Sequence, residues 1–289
     1  MVRPSALPLE EYADVYVGRQ ATAYLQAYDD ERPWFCWVSF GGPHEPWDTT
    51  EPYASMYDPV EMPEPAALQQ DNPHRPQGLF DRKRPIAFEP GEAQRLRANY
   101  AGNVTLIDDQ VGAILDAIRH RGELENTVIV LASDHGEMNG DYGLIYKDCL
   151  MDSAARVPLI VRTPQTAQGA QGGQVCGALT EWMDIGPTLV ELAGGELAHT
   201  QFGRLLTPVL ADPEADHRSE AVSAYDGELM ICDGRQKVAL NHDGAVYLCF
   251  DLQDDPGETR NLAGLPEVRA VEDRLRLALL ERLVQTLRH

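Results

Sequence analysis

Between Glu92 and Gly122 apolar side chains recur every three or four residues, at Leu96, Tyr100, Val104, Ile107, Val111, Ile114, Leu115 and Ile118. A helix of 3.6 residues per turn collects all of them on one face, so the pattern predicts a long amphipathic helix stopped by Gly122. The same spacing joins Tyr12, Val15, Tyr16, Ala23, Tyr24 and Ala27 and predicts a helix over 10–28. "TEWMDIGPTLVELAG" (180–194) predicts a third helix, ended by glycine, and an amphipathic run from Glu267 to Arg288 predicts a fourth. Three other runs are short and continuously apolar: "WFCWVSF" (34–40), "TVIVLAS" (127–133) and "VPLIVRT" (157–163). Apolar on both faces and alternating with helices, they predict a parallel sheet covered on both sides.

Past Asp212 the pattern changes. "EAVSAYD", "ELMICDG", "QKVALNH" and "AVYLCFDL" are short strand-like runs joined by Asp-Gly turns, which predict an antiparallel meander. The expected division is therefore an α/β core over 1–212 and an antiparallel-sheet subdomain with a closing helix over 213–289. From Asp48 to Pro90 prolines are dense and no period persists, so a long surface loop is expected; loops of that length are more often functional than idle. "AQGAQGGQ" (167–174) reads as a flexible loop, and no internal repeat is present.

With 289 residues, 43 % of them hydrophobic, the chain can bury one large α/β domain with or without an appendage. No apolar run approaches the ~20 residues of a membrane span. A net charge of −22 argues against nucleic acid or an anionic membrane as the main partner. Lysine occurs only at positions 83, 147 and 237. The five cysteines, Cys36, Cys149, Cys176, Cys232 and Cys249, show no C-x-x-C spacing, which suggests reduced thiols and argues against a thiolate zinc site. Cys36 and Cys249 lie in apolar runs and are expected as small core residues. "MVRPSALPLEEY" has no apolar signal region, and with unpaired cysteines this slightly favours the cytoplasm; the periplasm is the alternative if the true amino terminus is missing.

In parallel α/β sheets, ligands collect outside the carboxyl ends of the strands. Two such ends carry polar groups here: "GGPHEPW", centred on His44, and Ser133-Asp134-His135-Gly136. A carboxylate suits Ca²⁺ or Mg²⁺ and an imidazole suits Zn²⁺ or Mn²⁺, so Asp134 and His135 form a candidate half of a metal site. Lys147, twelve residues beyond His135, could neutralise a tetrahedral oxyanion as a compact charge. His44 could protonate a leaving oxygen. Taken singly, Asp134 could equally cap a turn, His135 could be a core histidine, and His44 between prolines could be structural. Asp108-Asp109 falls mid-helix, where at least one is expected to be solvated. Asn103-Val104-Thr105 matches a glycosylation acceptor but falls in a helix, which discounts it.

Five segments carry a resemblance in a fixed order: "WFCWVSFGGPHEPWDTTEPYASMYDP", "NYAGNVTLIDDQVGAILDAI", "LASDHGEMNGDYGLIYK" with "ARVPLIVRTP", "DIGPTLVELAG" and "FDLQDDPGETRNLAG". The chain resembles the sulfatases of the alkaline-phosphatase superfamily almost from end to end. The resemblance implies a partial alkaline-phosphatase-like α/β fold, a mostly parallel sheet flanked by helices, with a small C-terminal antiparallel sheet plus helix. It implies Asp134 and His135 as metal ligands, Lys147 as a contact to the sulfate group, and His44 as substrate binder or proton donor to the leaving oxygen. The implied metal is Ca²⁺, with Mg²⁺, Mn²⁺ or Zn²⁺ as alternatives. The family nucleophile is a formylglycine made in a C/S-x-P-x-R motif, whose hydrated form attacks sulfur. That motif occurs nowhere in these 289 residues. The family's amino-terminal aspartate pair and G-K-x-H segment are also missing, and the sequence begins roughly where the second half of a family member begins.

The expectation is accordingly a hydrolase of small sulfated esters by family, inactive as this polypeptide alone. A phosphodiesterase or phosphonate monoester hydrolase of the same superfamily is the alternative, and a non-catalytic remnant acting as a binding or partner subunit is a third reading. A sheet lacking its first strands would expose its edge, so an amino-terminal half or further copies of the chain are expected to cover it.

Overall fold

The structure, a computed structural model, describes residues 2–67, 85–168, 172–199 and 201–286. Positions 68–84 of the expected proline-rich loop, Lys83 included, positions 169–171 of the expected 167–174 loop, and the end of the expected last helix beyond 286 lie outside the described residues. The chain divides into two compact units: 1–65 with 86–127 and 139–145, and 66–85 with 128–138 and 146–289.

The first unit is built on two helices, α1 (Ala13–Ala27) and α2 (Glu92–His120). Gly122, with φ 74°, ends α2, and its N–H donates to the Arg119 carbonyl as a helix-stopping glycine should. The expected face of α2 is largely inside, with Leu96 and Ile118 buried and Ile107, Ile114 and Leu115 packed on buried clusters, but the contact extends onto a neighbouring face. Val104 is 47 % exposed, whereas Leu106 is fully buried beside Tyr12, Val15 and Tyr53. The reason is that small and amide side chains, Ala98, Asn99, Gly102 and Asn103, form the close contact. A Cβ on Gly102 would collide with the Tyr53 carbonyl oxygen. Asn99 accepts from the Thr49 hydroxyl (3.0 Å), and Asn103 Nδ2 donates to the Tyr12 hydroxyl (3.3 Å). Asn103 is therefore buried and engaged, which agrees with discounting it as a glycan acceptor. Asp108 is exposed; Asp109 accepts from the Tyr53 hydroxyl (2.5 Å).

The expected strand over 34–40 is not one. The segment has no strand pairing among the described residues; Phe35 and Trp37 are 73 % and 65 % exposed, while Trp34 turns inward and donates to Glu123 Oε2 (2.9 Å). An apolar run signals a demand for burial, but a ladder also needs a neighbouring strand's backbone, and its unit contains none among the described residues.

The second unit holds β1 (Ile129–Ala132), a one-turn helix α3 (Asp152–Ala155), β2 (Leu159–Arg162), the short α4 (Pro164–Gln168), α5 (Ile185–Leu192), α6 (Thr207–Ala211), then β3 (Ala221–Tyr225), β4 (Glu228–Cys232), β5 (Gln236–Leu240), β6 (Val246–Asp251) and α7 (Arg269–Thr286). The α/β class and the small antiparallel sheet with its helix hold. The expected parallel pairing does not hold for the two short core strands: β1 and β2 are antiparallel, with Ile129 opposite Arg162 and Ala132 opposite Leu159. A parallel return needs a crossover of a dozen or more residues, usually helical, across one face of the sheet. The chain between β1 and β2 instead loops out and back with one 3₁₀ turn (Asp141–Gly143) and the single turn of α3, and no longer helix. Nor is the pair covered on both faces, since Ile160 is 62 % exposed.

β3 to β6 form a meander in sequence order. Asp226 (φ 46°) and Gly227 (φ 79°) are both left-handed, the requirement of a two-residue hairpin turn matched to strand twist. Ile231, Val238 and Cys249 lie in one cross-strand row and pack on Leu275 and Leu279 of α7. Burial, then the nearby Glu272 and Asp251 charges, push the Cys249 thiol up to about 12. Cys36, expected as a core residue, is only half-buried, and all five cysteines are free thiols.

Two outcomes are expected of the first unit. Burial first, with the Asp48 and Asp14 charges, raises the Tyr12 phenol to about 12, and the hydrogen bond to Asp109 raises Tyr53 to about 12. A phenol raised on folding stabilises the fold fully below its unfolded value near 10 and loses that contribution as pH rises through the folded value. Phenolate absorbance of the folded chain should therefore keep rising to about pH 12, and Tyr53→Phe should remove part of that last rise. Gly102→Ala should lower unfolding free energy by about 1–3 kcal/mol, because the added methyl meets backbone rather than a yielding side chain; a denaturant melt with an unchanged midpoint would contradict the packing described.

Candidate active site

β1 ends at Ala132, and the next four residues make a tight polar turn. Ser133 Oγ donates to the His135 carbonyl (2.7 Å), and the His135 amide donates to Asp134 Oδ1 (2.9 Å). His135 Nδ1 lies 2.9 Å from the Gly136 carbonyl oxygen. A carbonyl can only accept, so Nδ1 carries the proton and Nε2 of the neutral ring is the lone-pair nitrogen. Nε2 lies 3.8 Å from Asp134 Oδ2, on a carboxylate side chain that is 80 % exposed. The turn needs glycine at 136, where a Cβ would strike the Ser153 carbonyl.

The chain leaves this turn at Met138 and returns at Tyr146, where the Met138 amide donates to the Tyr146 carbonyl (2.9 Å) and the Tyr146 amide donates to the Glu137 carboxylate. That closure sets Lys147 directly after the return. Its neighbours Tyr146 (φ 69°) and Asp148 (φ 68°) are both left-handed, a conformation costing non-glycine residues about 1–2 kcal/mol each. Asp134, His135 and Lys147 thus belong to one unit and one closed loop. Asp134 and His135 fit part of a divalent-metal shell: an exposed carboxylate beside an imidazole whose other nitrogen is fixed by a carbonyl, the usual outer support of a metal-ligating histidine. Among the described residues no third His, Cys, Asp or Glu joins them.

His44 belongs to the other unit. Its loop is tied down by Asp14, a buried carboxylate in the first turn of α1, whose Oδ1 accepts from the Gly41 and Gly42 amides (2.9 and 3.0 Å). Gly42 has no room for a Cβ beside Asp14 and Asn103. His44 Nδ1 faces two acceptors, the Glu45 carbonyl at 3.0 Å and Glu45 Oε2 at 3.1 Å, so this nitrogen too carries a proton. Asp14 and Glu45 are the positioning groups that the sequence reading missed. Adjacency to His44 was an available signal for Glu45; for Asp14, 27 residues from Gly41, no local pattern gave one.

Similarity to known proteins bears on these residues. The Sulfatase family profile matches residues 3–195, and the profile for the C-terminal region of N-sulphoglucosamine sulphohydrolase matches 140–285. The multifunctional alkaline phosphatase superfamily protein PehA of Trinickia caryophylli is 30 % identical over 97 % of this chain and 61 % of its own length. The choline-sulfatase of Rhizobium meliloti is 31 % identical over 89 % of this chain and 52 % of its own. The solved phosphonate monoester hydrolase SpPMH of Silicibacter pomeroyi superposes with a TM-score of 0.82 at 27 % identity, over 98 % of this chain and 62 % of that one. The chain thus spans about half to two thirds of the length of these three relatives. With the family profile covering more than half of its residues, in the region holding His44, Asp134, His135 and Lys147, this chain belongs to the sulfatase family of the alkaline-phosphatase superfamily.

Proposed function

We propose that these 289 residues supply the proton donor, the oxyanion contact and part of the metal shell of an enzyme that hydrolyses small sulfate esters. The observation that carries this reading is the His135 Nδ1–Gly136 hydrogen bond, which fixes Nε2 as the lone-pair nitrogen beside the exposed Asp134 carboxylate. Asp134 and His135 would hold a divalent cation, Ca²⁺ before Mg²⁺, Mn²⁺ or Zn²⁺, which when bound neutralises charge developing on the tetrahedral group. Lys147 adds a second positive charge to the same loop. His44, its Nδ1–H held by Glu45, would in its doubly protonated form hand the Nε2 proton to the departing ester oxygen and be left as the neutral Nδ1–H ring. No C/S-x-P-x-R motif lies within the 289 residues, so the attacking group must come from outside them. The net charge of −22 disfavours highly sulfated polymers away from the cation and so favours a small ester.

One observation favours a second reading on the same residues, hydrolysis of phosphonate monoesters: SpPMH carries that activity in its name and shares the fold over 98 % of this chain. Both ester classes place a tetrahedral anionic group against the cation, so the metal turn serves either.

The purified chain should bind Mn²⁺, read by electron paramagnetic resonance. His135→Ala should weaken that binding about 10-fold or more, as loss of one of two donors requires; equal affinity in the variant would sink the assignment. The same chain should not turn over p-nitrophenyl sulfate or a phenylphosphonate monoester above buffer. Adding a polypeptide that carries the aspartate pair and C/S-x-P-x-R should give turnover, and the faster ester decides between the two readings.

A further inference from the structure

The metal turn is fixed from behind by α3. The Gly136 amide donates to the Ala154 carbonyl (2.8 Å), and the Gly136 Cα lies so close to the Ser153 carbonyl that no side chain fits. A single turn of helix has little stability of its own, because nucleating a helix fixes several residues for one hydrogen bond. Something else must hold α3, and the C-terminal sheet does so. Lys237 on β5 is fully buried on the face opposite α7, and its Nζ donates to Asp152 Oδ1 (2.7 Å) and to Glu258 Oε1 (2.6 Å). The second oxygen of Glu258 accepts from the Asp152 amide (2.7 Å), so one carboxylate grips both the lysine and the first residue of α3.

We propose that the Lys237–Asp152–Glu258 cluster is a positioning element for the metal turn: it clamps α3, and α3 sets the backbone on which Asp134 and His135 are presented. None of the three is among the residues assigned to substrate or metal. The path runs from Lys237 through Asp152 and Glu258 to α3, then through Ala154 and Ser153 to Gly136 and the carbonyl that fixes the His135 ring. The functional meaning of the proposal rests on the metal reading of Asp134 and His135; the mechanical linkage does not.

The test uses the whole chain and two variants. Lys237→Met removes the hub, and Asp152→Ala removes one half-exposed arm while leaving the buried Lys237–Glu258 contact in place. Three quantities are read: exchange of the Gly136 amide, the His135 ring nitrogen shifts, and Mn²⁺-induced broadening of the His135 signals. The expected result in Asp152→Ala is Gly136 exchange faster by about tenfold, with Val238 and Leu248 amides of the sheet within about twofold of wild type, since local opening is separable from global unfolding. The ring nitrogen shifts should move toward averaged tautomers, and about threefold or more additional Mn²⁺ should be needed for equal broadening. Lys237→Met should give the same pattern more strongly. Unchanged Gly136 exchange and ring shifts in Asp152→Ala, with the variant folded, would overturn the proposal. If Lys237→Met loses protection throughout the sheet, Asp152→Ala alone decides. If wild type shows no Mn²⁺-dependent broadening, the metal reading fails, while Gly136 exchange still decides whether the clamp exists.

Discussion

A lysine with no solvent exposure is the constraint around which the second unit closes. Taking an ammonium out of water costs several kcal/mol even after relaxation, and the cost is met only by partners with near-ideal geometry. Lys237 has two, Asp152 and Glu258, drawn from 85 and 21 residues away. Burial pulls its pKa down, but the Glu258 and Asp152 charges outweigh that and hold it above the ordinary lysine range, so the ammonium stays charged. Glu258 accepts a left-handed backbone (φ 51°) to reach it. α3, β5 and the turn after β6 therefore cannot be placed independently. An error in any one of them would leave a buried charge without its partner.

A second charged cluster fastens the remaining pieces. Asp184, fully buried before α5, accepts from Arg218 Nε (3.0 Å) and from the backbone amides of Glu181 (2.8 Å) and Arg204 (2.6 Å). Burial pushes its carboxyl up, yet Arg218 and those amides bring it below the usual carboxylate range. Its contribution to stability is therefore present above the unfolded value near 4 and is lost as pH falls through the lowered folded value. Glu181 extends the cluster to Arg282 on α7 (2.8 Å) and to the Val222 amide on β3 (3.0 Å). With β1 and β2 contributing only four residues each, the unit is ordered by buried ion clusters and the α7-covered sheet rather than by a long central sheet.

What the sequence disclosed follows from the range of each interaction. α2 and the meander were legible because helical spacing and Asp-Gly turns act over a few residues. The continuous apolar runs misled for the same reason. "WFCWVSF" and "TVIVLAS" state how apolar a segment is, but pairing direction depends on the connection, and a ladder depends on which neighbour is present. At the site, Asp134, His135 and Gly136 were visible as a motif and His44 as the centre of a turn. The groups that orient them were not, because Asp14 reaches Gly41 and Gly42 across 27 residues and more, and Lys237 acts on Gly136 through α3. Lys237 itself lies in "QKVALNH", where strand alternation offered no sign that the charge points inward.

The scarcity of lysine acquires a physical meaning beside this. Of three lysines in the chain, Lys237 stands where two buried carboxylate contacts demand a compact cation, and arginine carries most of the positive charge. Exposed pairs such as Arg235 with Asp251 and Arg274 with Asp233 suit a planar fork that keeps part of its hydration. Lys237 must instead meet two carboxylates at 2.6–2.7 Å from a side chain with no solvent exposure, which three tetrahedral N–H donors on a slender stem can do. Base composition can make lysine rare, but it does not choose where the remaining ones stand. In the role proposed for Lys147, which stands between two left-handed residues, the same argument applies: a point charge makes fewer directional demands on a tetrahedral anion than a fork would.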